Sequence, residues 1–243
     1  MDLALDIGNT FVKAGIFEED RLLETFRFEH MQLDDIYDMA DQYNLANVIV
    51  SSVKGEEIPA REQLKRRFGH YLELTHATAL PIKNLYESPQ TLGNDRIAAV
   101  VGGNTLYPSS NLLVIDAGTA ITFDLLTKDG SYLGGNISPG LKLRFESLHR
   151  ATRQLPLMQA REGFGLLGKN TNDALVCGVQ NGIIFEMNHY IKNLKDHYTR
   201  LTTILTGGDS NFFDNKLNYP IFVEPNLILF GLNEILKHNV YAK

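Results

Sequence analysis

Apolar residues along the 243-residue chain recur with two periods, and the shorter period is written twice. The opening run LALDIGNTFVKAGIFEEDRLLETFRF begins with an apolar stretch that ends in Asp6-x-Gly8. It passes through a threonine into a second apolar stretch, turns at Glu18-Glu19-Asp20 and enters a third. The run LLVIDAGTAITFDLLTKDGSYLGGNI repeats that order, with Asp116-x-Gly118 at the first turn and Lys128-Asp129-Gly130 at the second. Strand, tight turn, strand, polar turn, strand predicts a β-meander in each half.

The longer period follows each meander. Gln32 to Tyr43 places Ile36, Met39 and Ala40 on one helical face. ANVIVSSV reads as a short buried strand, Pro59 to Phe68 as a charged amphipathic helix, Tyr71 to Leu74 as a strand and Asp95 to Tyr107 as a helix. In the second half, helices are expected over Leu141 to Thr152 and Asn172 to His197. LTTILTGG is a strand ending in glycines, and a last helix runs from Asn226 to Lys237 behind Pro225. Strands and helices in this alternation predict an α/β protein with mixed sheets flanked by helices. The repeat divides the chain into domains at 1–111 and 112–243. Two such halves imply a pseudo-twofold arrangement with a cleft between them, where small ligands usually bind.

Composition narrows the function classes. Net charge is -6 and the 23 basic residues are scattered, which does not suggest nucleic acid as a partner. An acidic protein can still hold an anion on backbone amides and helix N-termini. The N-terminus has no signal-peptide pattern, and no stretch approaches the ~20 apolar residues that span a bilayer. The single cysteine, Cys177, excludes an internal disulfide and falls in a helical pattern as a small buried side chain. A cytoplasmic protein without a membrane partner is expected.

The seven histidines show no zinc spacing, and no serine sits in a G-x-S-x-G elbow. Neither a Walker P-loop nor a GxGxxG fingerprint is present. What remains is the pair of Asp-x-Gly turns. Glycine lets backbone approach a ligand, and the small residues behind it expose amides to phosphate oxygens. A carboxylate in that place repels phosphate unless a cation lies between them. Lys13 adds a positive charge to the first turn. One Asp-x-Gly alone is most simply a hairpin turn; two at matching places favour phosphate chemistry. The glycine-rich runs GGNISPGL (134–141), read as opening a helix, and TGGDS (206–210) are further candidates for holding a nucleotide.

DIGNTFVK, YESPQTLGNDR, DAGTA, GGNISPGL, GKNT and TGGDS, in this order over the whole chain, resemble the type III pantothenate kinases. The resemblance implies duplicated actin-like (ribonuclease H-like) domains, and ATP-dependent phosphorylation of pantothenate to 4'-phosphopantothenate, the first step toward coenzyme A. It also implies a homodimer, Mg2+ with ATP, and a monovalent cation, K+ or NH4+. Carried over by motif, the ATP loop is Asp6, Ile7, Gly8, Asn9, Thr10, Phe11, Val12 and Lys13, with Asp6 on the magnesium side and Thr119 as a further ATP contact. Asp95 matches the general base. Tyr86, Gly93, Asn94, Asp95 and Arg96 match the pantothenate positions, Asp116 the monovalent-cation ligand, and Thr171 a substrate contact from a partner subunit. The run LRFESLHRATRQLP is more polar than the family pattern.

The chemistry suits those residue types. Phosphoryl transfer needs positioning, charge neutralisation and an acceptor for the hydroxyl proton, a role a carboxylate at Asp95 fills. A guanidinium such as Arg96 pairs with a carboxylate through two parallel bonds. Asp95 and Thr171 are also well placed as helix N-caps, Arg96 as half of a surface ion pair, and Tyr86 as an ordinary half-buried tyrosine. Gly178 and Gly182 suggest close packing, against a neighbouring element or against the same helix of a second copy. A non-enzymatic nucleotide-binding regulator of the same fold and a sugar kinase are the alternatives. A regulator has no need of the Asp95, Tyr86 and Arg96 set, and a sugar kinase should carry more hydroxyl-binding side chains.

Overall fold

The computed structural model describes residues 1–8, 11–52 and 61–241. Asn9 and Thr10 of the first turn, and Pro59 at the expected helix start, lie outside the described residues. The chain order begins β1 (Asp2–Ile7), β2 (Val12–Glu18), β3 (Arg21–Phe28), α1 (Leu33–Gln42), β4 (Asn47–Ser52), α2 (Arg61–Arg67), β5 (His70–Glu73), β6 (Lys83–Asn84) and α3 (Asn94–Leu106). It continues β7 (Asn111–Ala117), β8 (Ala120–Leu126), β9 (Ser131–Pro139), α4 (Leu141–Ala151), α5 (Thr171–His197), β10 (Leu201–Thr206), α6 (Ser210–Phe213), β11 (Phe222–Val223) and α7 (Leu227–Val240).

Packing gathers these elements into two compact units: Met1–Ser109 with Lys128–Leu133 and Asn226–Lys243, and Ser110–Thr127 with Gly134–Pro225. The repeat divides the chain by sequence pattern; contact assigns the terminal helix α7 to the first unit.

The first unit is built on a five-stranded sheet in the order β3-β2-β1-β4-β5. Strands β1, β2 and β3 are antiparallel neighbours, the expected meander, and β4 and β5 add in parallel. Alternation gives the sheet two faces. Leu3, Leu5, Ala14, Ile16, Val48 and Val50 pack on one face with Ile36, Met39 and Ala40 of α1 and Leu64 of α2. On the other face Phe17 meets Phe230 of α7 edge to face at 5.7 Å. Helices α3 and α7 touch backbone to backbone. A Cβ at Gly102 would stand 2.1 Å from the Leu227 carbonyl, and one at Gly231 1.8 Å from the Ala98 carbonyl, so neither position accepts a side chain. That contact fixes α3, and with it the residues at its N-terminus.

In the second unit β7 and β8 are antiparallel, β10 runs parallel to β7, and β11 parallel to β10. Strand β9 lies on the far side of β8. Leu113, Ile115, Ile121, Phe123 and Leu205 form a core with Leu141 and Phe145 of α4 and Val176, Ile183 and Met187 of α5. The polar run noted in the sequence does form a helix: α4 buries only Leu141 and Phe145. GGNISPGL is mostly the end of β9, and only Gly140 caps α4. Cys177 is buried on α5, as its place in the pattern implied. Among the described residues, no helix is long and apolar enough to cross a membrane.

Candidate active site

Asp6 is the penultimate residue of β1, on the face that α3 and α7 cover. Its register partners are Lys13 on β2 and Ser51 on β4, and register partners point to the same face. Beyond Asp6 the chain turns back sharply, with the Gly8 amide donating to the Phe11 carbonyl at 3.1 Å. The Phe11 ring lies under the Arg27 guanidinium, 3.6 Å from the ring centre. Ile7, Gly8, Phe11, Val12 and Lys13 therefore line one turn at the sheet's carboxyl edge.

The Asp6 carboxyl is pushed up to about 6. Burial is the main cause and the nearby Asp95 charge the second, while Lys13 pulls the other way. One of its oxygens, Oδ1, is buried with no hydrogen-bond partner among the described residues. The Ser51 hydroxyl beside it is also buried and without such a partner. A carboxylate oxygen left bare at the edge of a sheet is where a cation fits, and magnesium usually takes one or two protein carboxylates with phosphate and water completing its shell. The donor present is one buried carboxylate oxygen, with the Ser51 hydroxyl on the paired residue.

Asp95 stands in the first turn of α3, whose N-cap is Gly93 rather than Asp95, so the cap reading does not hold. The Arg96 amide donates to Asp95 Oδ1 at 2.9 Å. A Cβ at Gly93 would fall 2.4 Å from that same oxygen, so the glycine leaves the carboxylate its place. Asn94 anchors the turn by donating to the Leu74 carbonyl at 2.9 Å. Arg96 is buried, not a surface residue, and its guanidinium lies 5.6 Å from the centre of the Tyr86 ring. Tyr86 stacks in turn on the fully buried Tyr132 at 6.1 Å. The pairing of β6 with Ser131 and Tyr132 at the start of β9 holds this tyrosine in place. The Asp6 turn and the Tyr86, Gly93–Arg96 set thus occur in one unit, joined by the Asp6–Asp95 coupling.

The second unit holds the remaining candidates. Asp116, next to last in β7, pairs with Thr206, the last residue of β10. The next residue, Gly207, has φ 94°, and a Cβ there would stand 2.4 Å from Asp116 Oδ1 and 2.5 Å from the Ala117 carbonyl. Only glycine suits both the backbone and the space. The Asp209 amide closes the corner on the Ala117 carbonyl at 2.8 Å, and half-burial raises the Asp209 carboxyl. Thr119 is exposed, and its carbonyl accepts from the Gly140 amide at 3.0 Å. Two glycine-rich runs of the sequence therefore brace the Asp116 turn. Asp116 and the Ala117 carbonyl thus lie close around the Gly207 corner.

Thr171 is the first residue of α5. The N-cap is Asn170, whose side chain accepts from the Asp173 amide at 2.9 Å, so the cap lies one residue earlier than the pattern suggested. Thr171 lines a largely apolar cavity of about 520 Å³ with Pro139, Arg144, Leu148, Leu155 and Val179. Gly178 also lines it, and a Cβ there would meet nothing within 4 Å. At Gly182 the nearest atom would be Arg144 Nη1 at 3.7 Å, so packing within the chain does not require either glycine.

Residues 2–193 match the model of the type III pantothenate kinase family. The chain belongs to that family. The type III pantothenate kinase of Phocaeicola vulgatus is 44% identical over 239 residues, covering 98% of this chain and 99% of that protein. Among solved structures, a Campylobacter jejuni protein assigned to the Baf transcriptional activators has a TM-score of 0.62 at 24% identity, covering 98% of each chain. The polyphosphate/ATP-glucomannokinase of an Arthrobacter strain has a TM-score of 0.50 at 17% identity, covering 96% of this chain and 97% of that one. These two likenesses bear on the fold alone, which is that of the actin-like kinases. Ser51 was not among the residues the sequence pattern singled out for this family site; a polar side chain at the carboxyl end of an apolar strand is the signal that points to it.

Proposed function

We propose that this member of the family transfers the γ-phosphoryl group of ATP to the primary hydroxyl of pantothenate, with Asp95 as the proton acceptor. The observation that carries the reading is Asp95, in the first turn of α3, close enough to Asp6 for its charge to act on it, with the next residue, Arg96, set against the Tyr86 ring. As the hydroxyl oxygen attacks the γ-phosphorus, its proton passes to the Asp95 carboxylate. The bond to the β-phosphate oxygen breaks, leaving ADP and 4'-phosphopantothenate. Gly93 keeps the carboxylate in place. Arg96 holds the pantothenate carboxylate, and Tyr86 lies along its apolar chain. The turn from Asp6 to Lys13, including Asn9 and Thr10, receives the phosphates, with Thr119 as a further contact. Magnesium, when bound with ATP, neutralises phosphate charge; Asp6 is the residue that would hold it.

Asp116 would bind K+ or NH4+ in the cradle closed by Gly207. A homodimer would cover the apolar cavity on α4 and α5, with Thr171 reaching the partner's substrate. Gly178 on the cavity wall, and Leu148, exposed and lining the same cavity, support that assembly. A monomeric mass at micromolar concentration would reject it. The decisive assay supplies purified protein with ATP, Mg2+ and K+, and follows phosphate transfer to pantothenate against a panel of sugars. Transfer to pantothenate is expected; transfer only to a sugar, or none, overturns the reading.

A further inference from the structure

Strands β1 and β4 are parallel neighbours, and on the face that carries Asp6 their paired residues are Asp2 with Asn47, Ala4 with Ile49 and Asp6 with Ser51. Paired residues stand about 4.8 Å apart across the ladder. The pair at the far end closes on itself: Asn47 Nδ2 donates to Asp2 Oδ1 at 2.7 Å. The pair at the site end does not. Ser51 Oγ is fully buried and has no hydrogen-bond partner among the described residues, and Asp6 Oδ1 next to it is in the same state. A buried hydroxyl left unpaired costs about 1–3 kcal/mol. Thr203 Oγ1 and Asn233 Oδ1 are also buried without a partner, yet Thr203 pairs with apolar Leu113, and Asn233 uses its amide nitrogen on the Glu19 carbonyl. Two such atoms on directly paired residues, at the end of the sheet where the Asp6 turn begins, mark a place that a ligand completes.

We infer that Ser51 is a positioning residue for the magnesium–nucleotide complex, its hydroxyl holding a water of the ion's hydration shell beside the Asp6 carboxylate. The inference rests on the reading of Asp6 as the magnesium side of the site. A hydroxyl suits the place because it both donates and accepts. It can hold a metal-bound water, a strong donor, without adding a second charge beside Asp6. Magnesium keeps several of its waters, so the protein needs groups that hold water as much as groups that hold metal. Partners of that outer kind typically change metal affinity by about 10–100-fold.

The test uses the full-length protein and a non-hydrolysable ATP analogue. Mg2+ is titrated calorimetrically into the wild type, Ser51→Ala and Asp6→Asn with the analogue present, and each free protein is melted without ligand. Ser51→Ala should weaken Mg2+ by about 10-fold, while its melting midpoint stays level or rises, because alanine deletes an unpaired hydroxyl. Weakened Mg2+ binding in Asp6→Asn with wild-type binding in Ser51→Ala would overturn this inference alone. Wild-type Mg2+ binding in Asp6→Asn would overturn the magnesium reading on which it rests. A lower midpoint for free Ser51→Ala would also overturn the inference, since the hydroxyl would then be serving the fold.

Discussion

Two ends of one strand pair treat the same kind of residue in opposite ways. At the amino end of β1 and β4, Asp2 is buried and hydrogen-bonded. Asn47 donates to it, Asn47 also binds the Tyr241 hydroxyl at 2.8 Å, and His70 Nδ1 meets Asn47 Oδ1 at 2.8 Å. Four residues on, Asp6 and Ser51 occupy the equivalent row, and each leaves a buried polar atom without a partner. Backbone geometry, strand neighbours and sheet face are shared. One row completes itself from within the chain; the other we read as built for a ligand. A buried polar cluster with every group paired belongs to the fold, and one with bare atoms at a sheet's carboxyl edge belongs to function.

That contrast can be broken in several places. Asp95→Asn, at the open end, should cut pantothenate phosphorylation by a factor of about 10²–10⁴ while nucleotide binding stays nearly intact. Steady-state kinetics beside nucleotide titration checks it, and unchanged turnover removes Asp95 from the mechanism. Asn47→Ala, at the closed end, should cost about 2–3 kcal/mol of stability by stranding the Asp2 carboxylate, with kcat per folded molecule unchanged; denaturant unfolding measures the loss. Gly93→Ala, which forces the Asp95 oxygen aside, should lower kcat by roughly 10²-fold with little change in the melting midpoint. Replacing K+ by Na+ should lower the rate if Asp116 holds a monovalent ion, and equal rates in both salts reject that role.

The open end was only partly legible in the sequence. The repeated Asp-x-Gly turns, and the meanders around them, stood out because glycine, small residues and apolar runs are local signals. Helix α5 stood out for the same reason, by its length and period. Strands β6 and β11 leave no mark in the sequence, because two-residue strands are defined by a partner rather than by their own pattern. Caps were misplaced by one or two residues at Asp95 and Thr171, since aspartate and threonine are good caps and the true positions, Gly93 and Asn170, depend on the incoming backbone angle. Ser51 carries no local signal of its place beside Asp6, because Asp6 lies 45 residues away in the chain and only register brings them together. Likewise, α7 follows the second meander in sequence yet packs on α3, through a glycine contact that no local pattern reveals.

The difference between the two rows is tested most directly through Asp6 and pH. Its carboxyl titrates at about 6 in the folded protein against 3.8 as the ordinary value. Between those values the folded chain holds a proton that the unfolded chain has lost, so this group's contribution to stability falls as pH rises. Unfolding of the ligand-free Asp6→Asn variant and the wild type should therefore give equal stability near pH 4. By pH 7 the variant should be ahead by roughly 3 kcal/mol, while binding Mg2+-nucleotide more weakly. A variant that is less stable than the wild type at pH 7, or a difference that does not change with pH, would contradict the claim that this end of the sheet is held open for its ligand.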